Sequence, residues 1–302
     1  MNVQSQASLV DAAPSTTRDA AEPIVFDRVT GRIGAEVTGV DLTKPLSPAQ
    51  IEILSAGVVE HKVLFFRDQD ISQDQHRAFA RCFGPLEVHP FNEGSDYFFN
   101  DRECREIIVV ESHGKPHTVA DSWHSDLCSQ AAPPMGGVLR CKVAPPFGGD
   151  TLWADMTAAY EGLDDATKSL ISGLTAVNDW HNNRQSLRDR GMPEERIAAL
   201  VAEYPPHAHP VVRTHPVSGK KILYVNGGFT THIVGMSEAE SRALLDRLFL
   251  QATVPEYQVR FRWRKDSVAF WDNRQTQHYV APDFYPHHRW LERVTISGDK
   301  PF

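Results

Sequence analysis

Cysteine is scarce in this sequence, positive charge is in the minority, and no long apolar segment occurs. The four cysteines of the 302-residue chain form neither a CxxC pair nor a short disulfide framework; they are Cys82, Cys104, Cys128 and Cys141. The net charge of −8 lacks the electrostatic footprint of a protein that binds nucleic acid or an anionic membrane. No run of about 18 apolar residues is present, which argues against a membrane-spanning helix. We expect a cytoplasmic protein with neither a nucleic-acid nor a membrane partner.

The beginning of the chain differs in composition from the rest. Residues 1–22 are rich in Ser, Thr, Ala and Asp, and they lack the basic and apolar regions of a signal peptide. This composition predicts a disordered leader. Residues 23–302 contain neither a repeat nor a low-complexity linker, and 41% of the whole chain is hydrophobic, which is enough for one large core. We therefore predict a single domain over residues 23–302.

Three segments carry the capping box that starts many helices, a Ser followed three residues later by Glu or Gln. The boxes begin at Ser47, Ser72 and Ser237. Pro48 occupies the first helical position after the first box, where its fixed backbone angle favours a helix. The first helix is predicted to run to about His61.

Short apolar runs at 63–66, 107–110 and 268–271 predict buried strands. Alternating apolar and polar residues over 257–263 predict a strand with one exposed face. Helical patterns cluster in the first third of the chain, near 155–203 and near 237–251. This order favours a mostly β fold, a sandwich or barrel with helices outside, over a doubly wound sheet.

A polar segment near 178–210 is rich in Arg, Asn, Pro and His. It is long for a connection, and connections of this length often serve as active-site lids. Its composition is equally typical of a solvated surface excursion. We describe it as a lid-like insertion and leave both interpretations open.

One histidine motif carries the strongest chemical signal. Of fourteen histidines, only His124 is followed two residues later by a carboxylate, Asp126. About one such match is expected by chance, so the motif needs a partner, for which His278 is the candidate. Two imidazoles and one carboxylate on one face of a metal leave positions open for the oxygen chemistry of iron(II).

Two arginines follow His278 at a spacing that suits a strand. Arg289 and Arg293 are four residues apart, so on a strand their side chains point to the same side. A guanidinium binds a carboxylate or a sulfonate through a planar fork that lysine lacks. One such fork near a metal suits a dicarboxylate cosubstrate, and the second suits an anionic substrate.

With these motifs, the sequence resembles the taurine dioxygenase family, which includes aryloxyalkanoate and alkylsulfatase dioxygenases. The resemblance runs from about Gly31 to the end of the chain, and several motifs occur in the family's order. They are IGAEVTGVDL (33–42), FFRDQ (65–69), RCFG (81–84), WHSD (123–126), GGDTLW (148–153), HPVVRTHP (209–216) and the tail 271–302.

The resemblance implies a double-stranded β-helix, a jelly roll flanked by helices. It also implies that His124, Asp126 and His278 bind Fe(II), with 2-oxoglutarate and O2 as cosubstrates. Arg289 and the hydroxyl of Thr151 match the family positions that bind the distal carboxylate of 2-oxoglutarate. The implied reaction hydroxylates a substrate carbon while 2-oxoglutarate becomes succinate.

The substrate positions match the family only in part. His89 and Arg293 match the pair that holds the sulfonate of taurine. Elsewhere the residues that hold the rest of taurine are replaced, here by Asn92, Ala120, Asn183 and Arg184. Amide and guanidinium donors suit hydroxyl groups. We therefore expect Asn92, Asn183 and Arg184 to contact the polar body of a small anion.

The expected substrate is an organosulfonate, such as a sulfonated sugar or polyol, whose hydroxylation releases sulfite and an aldehyde. Alkyl sulfate esters and aryloxyalkanoates are the alternatives within the reaction class. A zinc hydrolase could use the same three ligands, but it would not need Arg289 and Thr151 as a carboxylate clamp. A non-catalytic binding barrel would need neither the triad nor the arginines. We also expect a homo-oligomer, a dimer or a tetramer.

Overall fold

The computed structural model describes residues 23–89, 104–112, 122–189 and 191–302. These residues form sixteen β-strands. The strands are β1 Val25–Arg28, β2 Ala35–Thr38, β3 Val63–Phe66, β4 Leu86–Glu87, β5 Ile107–Ser112, β6 Gly136–Val143, β7 Thr151–Asp155, β8 Thr175–Asn178, β9 His207–Pro210, β10 Val212–Thr214, β11 Lys221–Leu223, β12 Thr230–Ile233, β13 Gln258–Phe261, β14 Val268–Asp272, β15 Thr276–Val280 and β16 Arg289–Ile296.

Seven α-helices accompany the strands in the described part of the chain. They are α1 Pro48–His61, α2 Gln73–Arg81, α3 Met156–Glu161, α4 Asp165–Ile171, α5 His181–Asp189, α6 Glu194–Glu203 and α7 Glu238–Phe249. Two short 3-10 helices, Leu250–Thr253 and Pro255–Tyr257, follow α7. Within the described residues, no helix combines the length and the apolar character needed to cross a membrane.

Two sheets stack face to face and enclose the central core. The larger has the strand order β1-β2-β3-β14-β6-β16-β4, with β5 also paired to β16, and the smaller has the order β13-β7-β15. Neighbouring strands run antiparallel except β2 and β3. Side chains from both sheets, such as Phe65, Trp153, Phe261 and Trp271, form one buried cluster between them. Among the described strands, neither sheet closes on itself.

Helices cover the outer face of the larger sheet. Leu54 and Val58 of α1 and Phe79 of α2 pack on Leu64 and Phe270 in a second buried cluster. The helix α7 packs with α3 near the three-stranded sheet β12-β8-β9, beside the pair β10-β11. The sequence-based prediction of a mostly β fold with outer helices is therefore confirmed.

The elements predicted from local sequence patterns are present in the structure. All three capping boxes form, and the helices begin directly after Ser47, Ser72 and Ser237. The apolar runs at 63–66 and 268–271 are central strands of the larger sheet, β3 and β14. The run at 107–110 extends to Ser112, because β5 pairs with β16 up to Arg289. All four cysteines are free.

The segment 178–210 is largely helical rather than irregular. It contains α5 and α6, whose Leu187 and Leu200 pack with Trp180, Tyr224 and Phe229 in a buried cluster. Apolar residues at helical spacing supply this packing face, although the segment as a whole is polar. The role of the segment as a lid stays a prediction.

The first capping box permits a test of stability within one helix. The hydroxyl of Ser47 accepts a hydrogen bond from the Gln50 N–H at 3.3 Å, and the Gln50 side chain accepts from the Ser47 N–H at 2.9 Å. We expect Ser47→Ala to lower the free energy of unfolding by about 0.5–2 kcal/mol, because a cap is lost. The measurement is the urea unfolding transition.

The matched control is Ser55→Ala, the same substitution in the middle of the same helix. The Ser55 hydroxyl donates to the Ile51 carbonyl, which a helix already satisfies, and alanine has the higher helix propensity. Ser55→Ala should leave the unfolding midpoint unchanged or raise it. A loss equal to that of Ser47→Ala would contradict the capping argument.

Candidate metal centre

A short antiparallel bridge brings two histidines together. The His278 N–H donates to the His124 carbonyl at 2.8 Å, and the His124 N–H donates to the His278 carbonyl at 3.1 Å. His278 lies on β15, whereas His124 lies on a segment outside the regular strands. Residues that face each other across such a bridge carry their side chains on the same side of the pair. The two imidazole centroids are 4.2 Å apart.

Asp126 completes a three-residue cluster of metal-ligand type. Nε2 of His124 lies 3.8 Å from Oδ1 of Asp126, and Nε2 of His278 lies 3.9 Å from it. One ligand atom from each residue lies within 4.8 Å of the others, and all three residues are buried. Two imidazoles and a carboxylate at this separation fit a divalent transition metal that keeps further positions for other ligands.

Hydrogen bonding and burial place the ligands in the protonation states that a metal needs. Nδ1 of His124 lies 2.8 Å from the Ser122 carbonyl, so Nδ1 carries the hydrogen and donates it there. In the neutral ring the free electron pair is then on Nε2, which can bind a metal. Burial lowers the pKa of His278 to about 3, which keeps this imidazole neutral. Burial opposes ionisation of Asp126, but the charge of Arg293 is the largest opposing influence, and the pKa of Asp126 is lowered to about 2. Neutral imidazoles and an ionised carboxylate are the metal-binding forms.

Arg293 lies directly against this cluster. Its Nη1 donates to both carboxylate oxygens of Asp126, at 2.7 and 2.6 Å. His89 is half-buried near the same pair. Burial and the Arg293 guanidinium lower the pKa of His89 to about 3, while Asp126 opposes the change. The structure therefore brings both predicted anion-binding residues close to the predicted metal ligands.

Arg289 is a buried cation with neutral hydrogen-bond partners. Its Nε donates to the Gly149 carbonyl at 3.0 Å, and its Nη2 lies 3.4 Å from Oγ1 of Thr151. Burial lowers its pKa to about 10, and among the described residues no carboxylate forms an ion pair with it. A buried guanidinium without a counter-ion is costly. An anionic ligand at this position would relieve the cost.

Thr151 has a hydroxyl proton left to donate. Its Oγ1 accepts from Nε1 of Trp263 at 2.9 Å and from the more distant Arg289. A hydroxyl oxygen has two acceptor positions, and both face N–H donors. The remaining O–H is thus available to an acceptor such as a carboxylate. Arg289 and Thr151 together form a clamp of the kind predicted from the sequence.

The chain beside this clamp turns through two glycines. Gly148 and Gly149 both have φ of +67°, a left-handed conformation that disfavours other residues. A Cβ on Gly149 would also lie 3.1 Å from Cδ of Arg289. The turn lets the Gly149 carbonyl approach and orient the guanidinium.

The remaining predicted substrate contacts have different outcomes. Asn92 lies outside the described residues, and so does Ala120, the replaced position for which no substrate contact was predicted. Arg184 forms an ion pair with Asp179 and lies over the Trp180 ring, 4.9 Å from its centroid. In this conformation its guanidinium is engaged within the protein. Its contact with substrate stays a prediction, as does that of Asn183.

Asn183 does line a cavity of about 170 Å³ near the metal cluster. The walls are mainly apolar, with Leu127, Trp180 and Phe229 among the lining residues. Leu127 directly follows Asp126, and the Phe229 ring centroid is 6.2 Å from that of His124. An apolar space of this kind suits the carbon skeleton of a ligand.

Three residues near the site were not predicted from the sequence. A Cβ on Gly228 would lie 2.9 Å from Cβ of His124, so the close approach of this loop favours glycine. Trp263 supports Thr151, as described above. Burial raises the pKa of Glu87 to about 7, although a Gln130 hydrogen bond and Arg293 lower it. Only the Gly227–Gly228 pair offers a local sequence signal.

Known proteins resemble this chain over most of its length. A family model, Taurine catabolism dioxygenase TauD, TfdA family, matches residues 25–295. An alpha-ketoglutarate-dependent sulfate ester dioxygenase from Pseudomonas putida is 37% identical over 298 residues, which cover 96% of this chain and 95% of that protein. In these comparisons the predicted family resemblance is confirmed.

Solved structures agree with the fold. A taurine dioxygenase from Burkholderia xenovorans has a TM-score of 0.78 at 34% identity, covering 92% of this chain and 90% of its own. AAD-2, crystallised with Mn(II) and N-oxalylglycine, has a TM-score of 0.77 at 32% identity, covering 93% and 99%. The predicted jelly-roll fold with flanking helices is thereby confirmed.

Removal of one imidazole tests the metal site. We expect His124→Ala to weaken Co(II) binding by more than the roughly 10–100-fold that loss of an outer-shell partner costs, because a direct ligand is lost. Calorimetric titration of the metal-free protein measures the affinity, and far-UV circular dichroism checks the fold. His232→Ala removes an exposed histidine and serves as the control. Unchanged Co(II) affinity in a folded His124→Ala protein would exclude the assignment.

Proposed function

Since this chain belongs to the taurine catabolism dioxygenase TauD, TfdA family, we propose that His124, Asp126 and His278 bind its Fe(II). The chain is an alpha-ketoglutarate-dependent dioxygenase. It is therefore neither a zinc hydrolase nor a non-catalytic binding barrel, the two alternatives from other classes. The observation that carries the assignment is the buried cluster of two imidazoles and one carboxylate. It is the arrangement that iron(II) oxygenases use.

When bound, iron and 2-oxoglutarate supply the oxidant: one atom of O2 enters succinate as CO2 leaves, and the other enters a substrate C–H bond. The protein binds and orients the reactants and excludes water. Burial of the triad serves this purpose, because a dry site strengthens each electrostatic contact and limits side reactions.

Arg289 and Thr151 are proposed to bind the distal carboxylate of 2-oxoglutarate. The guanidinium is buried without a counter-ion among the described residues, and Nε is already turned to Gly149. Its remaining edge and the Thr151 hydroxyl can donate to one carboxylate. This arrangement would select a dicarboxylic oxo acid over a monocarboxylic one.

Arg293 and His89 are proposed to hold the anionic group of the substrate. Arg293 contacts Asp126 through Nη1, so a substrate anion on this guanidinium would lie beside the metal. The adjacent carbon of the substrate would then face the centre of oxidation. The anion thus positions the carbon that carries it.

A sulfate ester with an apolar body is the substrate that these observations favour. The cavity beside the triad has apolar walls, and Arg184 is engaged by Asp179. The relative from Pseudomonas putida is named a sulfate ester dioxygenase. Hydroxylation of the carbon that bears the sulfate gives an unstable product. Its hydroxyl proton leaves, the C=O of an aldehyde forms, and the C–O bond to sulfate breaks.

An organosulfonate with a polar body, which the sequence favoured, is the second candidate. The amide of Asn183 on the cavity wall supports it, together with Ser129 and Gln130. These groups could bind hydroxyls of a sulfonated sugar or polyol. Hydroxylation would then break a C–S bond and release sulfite with the aldehyde. The sulfur product therefore distinguishes the two candidates.

The clamp can be tested by comparing two oxo acids. We expect the KM for 2-oxoglutarate to rise about 10-fold or more in Arg289→Lys, because lysine keeps the charge but loses the fork. Thr151→Val should raise the KM less, by up to about 10-fold, because one hydrogen bond of about 0.5–1.5 kcal/mol is lost. Arg262→Lys, at an exposed position, is the control. If the unaltered enzyme used pyruvate with the same efficiency as 2-oxoglutarate, the distal clamp would be disproved.

A panel of anions tests the substrate assignment. Hexyl sulfate, hexanesulfonate, taurine, a sulfosugar and an aryloxyacetate are supplied separately, with succinate, sulfate, sulfite and phenol measured. We expect the highest kcat/KM with hexyl sulfate, accompanied by sulfate release. Arg184→Gln should leave that value within about threefold, because its guanidinium is bound to Asp179 instead of facing the substrate. Preference for the aryloxyacetate, with phenol release, would overturn the proposal that the substrate is a sulfate ester or a sulfonate.

A further inference from the structure

The backbone N–H and the backbone carbonyl of Asp126 both bond to one side chain, that of Asn273. The Asp126 N–H donates to Oδ1 of Asn273 at 2.8 Å, and its carbonyl accepts from Nδ2 of Asn273 at 2.9 Å. The next residue, Leu127, has φ of +49°, so the chain turns away from an extended path. Among the described strands none pairs with Asp126, and the Asn273 amide takes the place of one.

Asn273 is itself held firmly. The side chain is 1% exposed, its Nδ2 also lies 3.3 Å from the Pro134 carbonyl, and its N–H donates to the Met135 carbonyl at 2.8 Å. The preceding residue, Asp272, ends the central strand β14. Its buried carboxylate accepts from Arg274 and lies 2.8 Å from Nε2 of His215. These contacts anchor the amide to the end of the larger sheet.

The three ligands are thus positioned by two different devices. The imidazoles of His124 and His278 are related by the backbone bridge between their own residues. Asp126 is joined to the larger sheet twice, at its backbone by the Asn273 amide and at its carboxylate oxygens by Arg293 of β16. We infer that Asn273 is a positioning residue, whose amide sets where the Asp126 carboxylate lies relative to the imidazoles.

This inference rests on the proposed function, because it requires a metal on the triad. An amide that only stabilised the fold would change the unfolding free energy and leave the metal affinity of the folded protein unaltered. A positioning amide changes the metal affinity in addition. Outer-shell partners of metal ligands typically contribute about 10–100-fold to affinity.

A matched control exists at the opposite end of β14. Gln69 also uses one amide to accept from a backbone N–H, of Leu42 at 2.8 Å, and to donate to a backbone carbonyl, of Arg67 at 2.9 Å. Its N–H donates to Asp266, two residues before the start of β14. Gln69→Ala removes the same pair of hydrogen bonds without touching the triad.

The experiment is a Mn(II) titration of the metal-free full chain, in which electron paramagnetic resonance reports the free ion. Thermal unfolding is followed in parallel. Asn273→Ala is expected to weaken Mn(II) binding about 10–100-fold, and Gln69→Ala to leave it within twofold. Asn273→Leu keeps the approximate size of the side chain and loses both the donor and the acceptor, so it should weaken Mn(II) binding to a similar extent. It also supplies the test if Asn273→Ala does not fold.

The outcomes separate the inference from the proposed function. Unchanged Mn(II) affinity in the folded Asn273 variants, while His124→Ala abolishes binding, would overturn the positioning role alone. Equal weakening in Gln69→Ala would also overturn it, because the effect would then follow general destabilisation. Mn(II) binding that His124→Ala does not affect would refute the metal site on which both depend.

Discussion

The bridge between His124 and His278 is the contact on which the rest of the site depends. It joins a segment without regular structure to β15 of the smaller sheet, through two backbone hydrogen bonds. The smaller sheet in turn packs on the larger one across the aromatic cluster around Trp153. Because interiors of this kind are densely packed, the bridge transmits the rigidity of both sheets to the imidazoles. Ligands held by rigid elements need little rearrangement when a metal binds.

Buried charge gives the site its chemical character. Asp126 carries one negative charge, and Arg289 and Arg293, both on β16, carry two positive charges. Charges in such a place need partners, because desolvation is costly. In the proposed complex, iron adds two positive charges, while 2-oxoglutarate and a sulfur monoanion together add three negative charges. The charges of Asp126, the two arginines, iron, 2-oxoglutarate and the substrate would then sum to zero. Each bound group would compensate charge on the others.

In the proposed function, substrate choice would depend on the region where α5 and α6 pack near the triad. Their packing around Trp180 and Phe229 shapes the apolar cavity beside Leu127. The polar residues of the same segment are partly used within the protein, as the pairing of Arg184 with Asp179 illustrates. The segment is polar in its overall composition, whereas the face of α5 and α6 that packs inward, through Leu187 and Leu200, is apolar. The inner face lines the cavity, so in the proposed function it is the face that would contact a ligand.

The elements that could be predicted from the amino-acid sequence are those with local signals. Capping boxes at Ser47, Ser72 and Ser237 and the apolar runs of β3 and β14 were predictable, because hydrogen bonds and hydrophobic periodicity act within a few residues. Ordered motifs, resembling one family, predicted the fold and the triad. The tertiary structure alone decided the cavity, the engagement of Arg184 and the support that Asn273 gives to Asp126. Those features join residues as far apart as 126 and 273, and such contacts depend on how sheets and helices pack rather than on any local pattern.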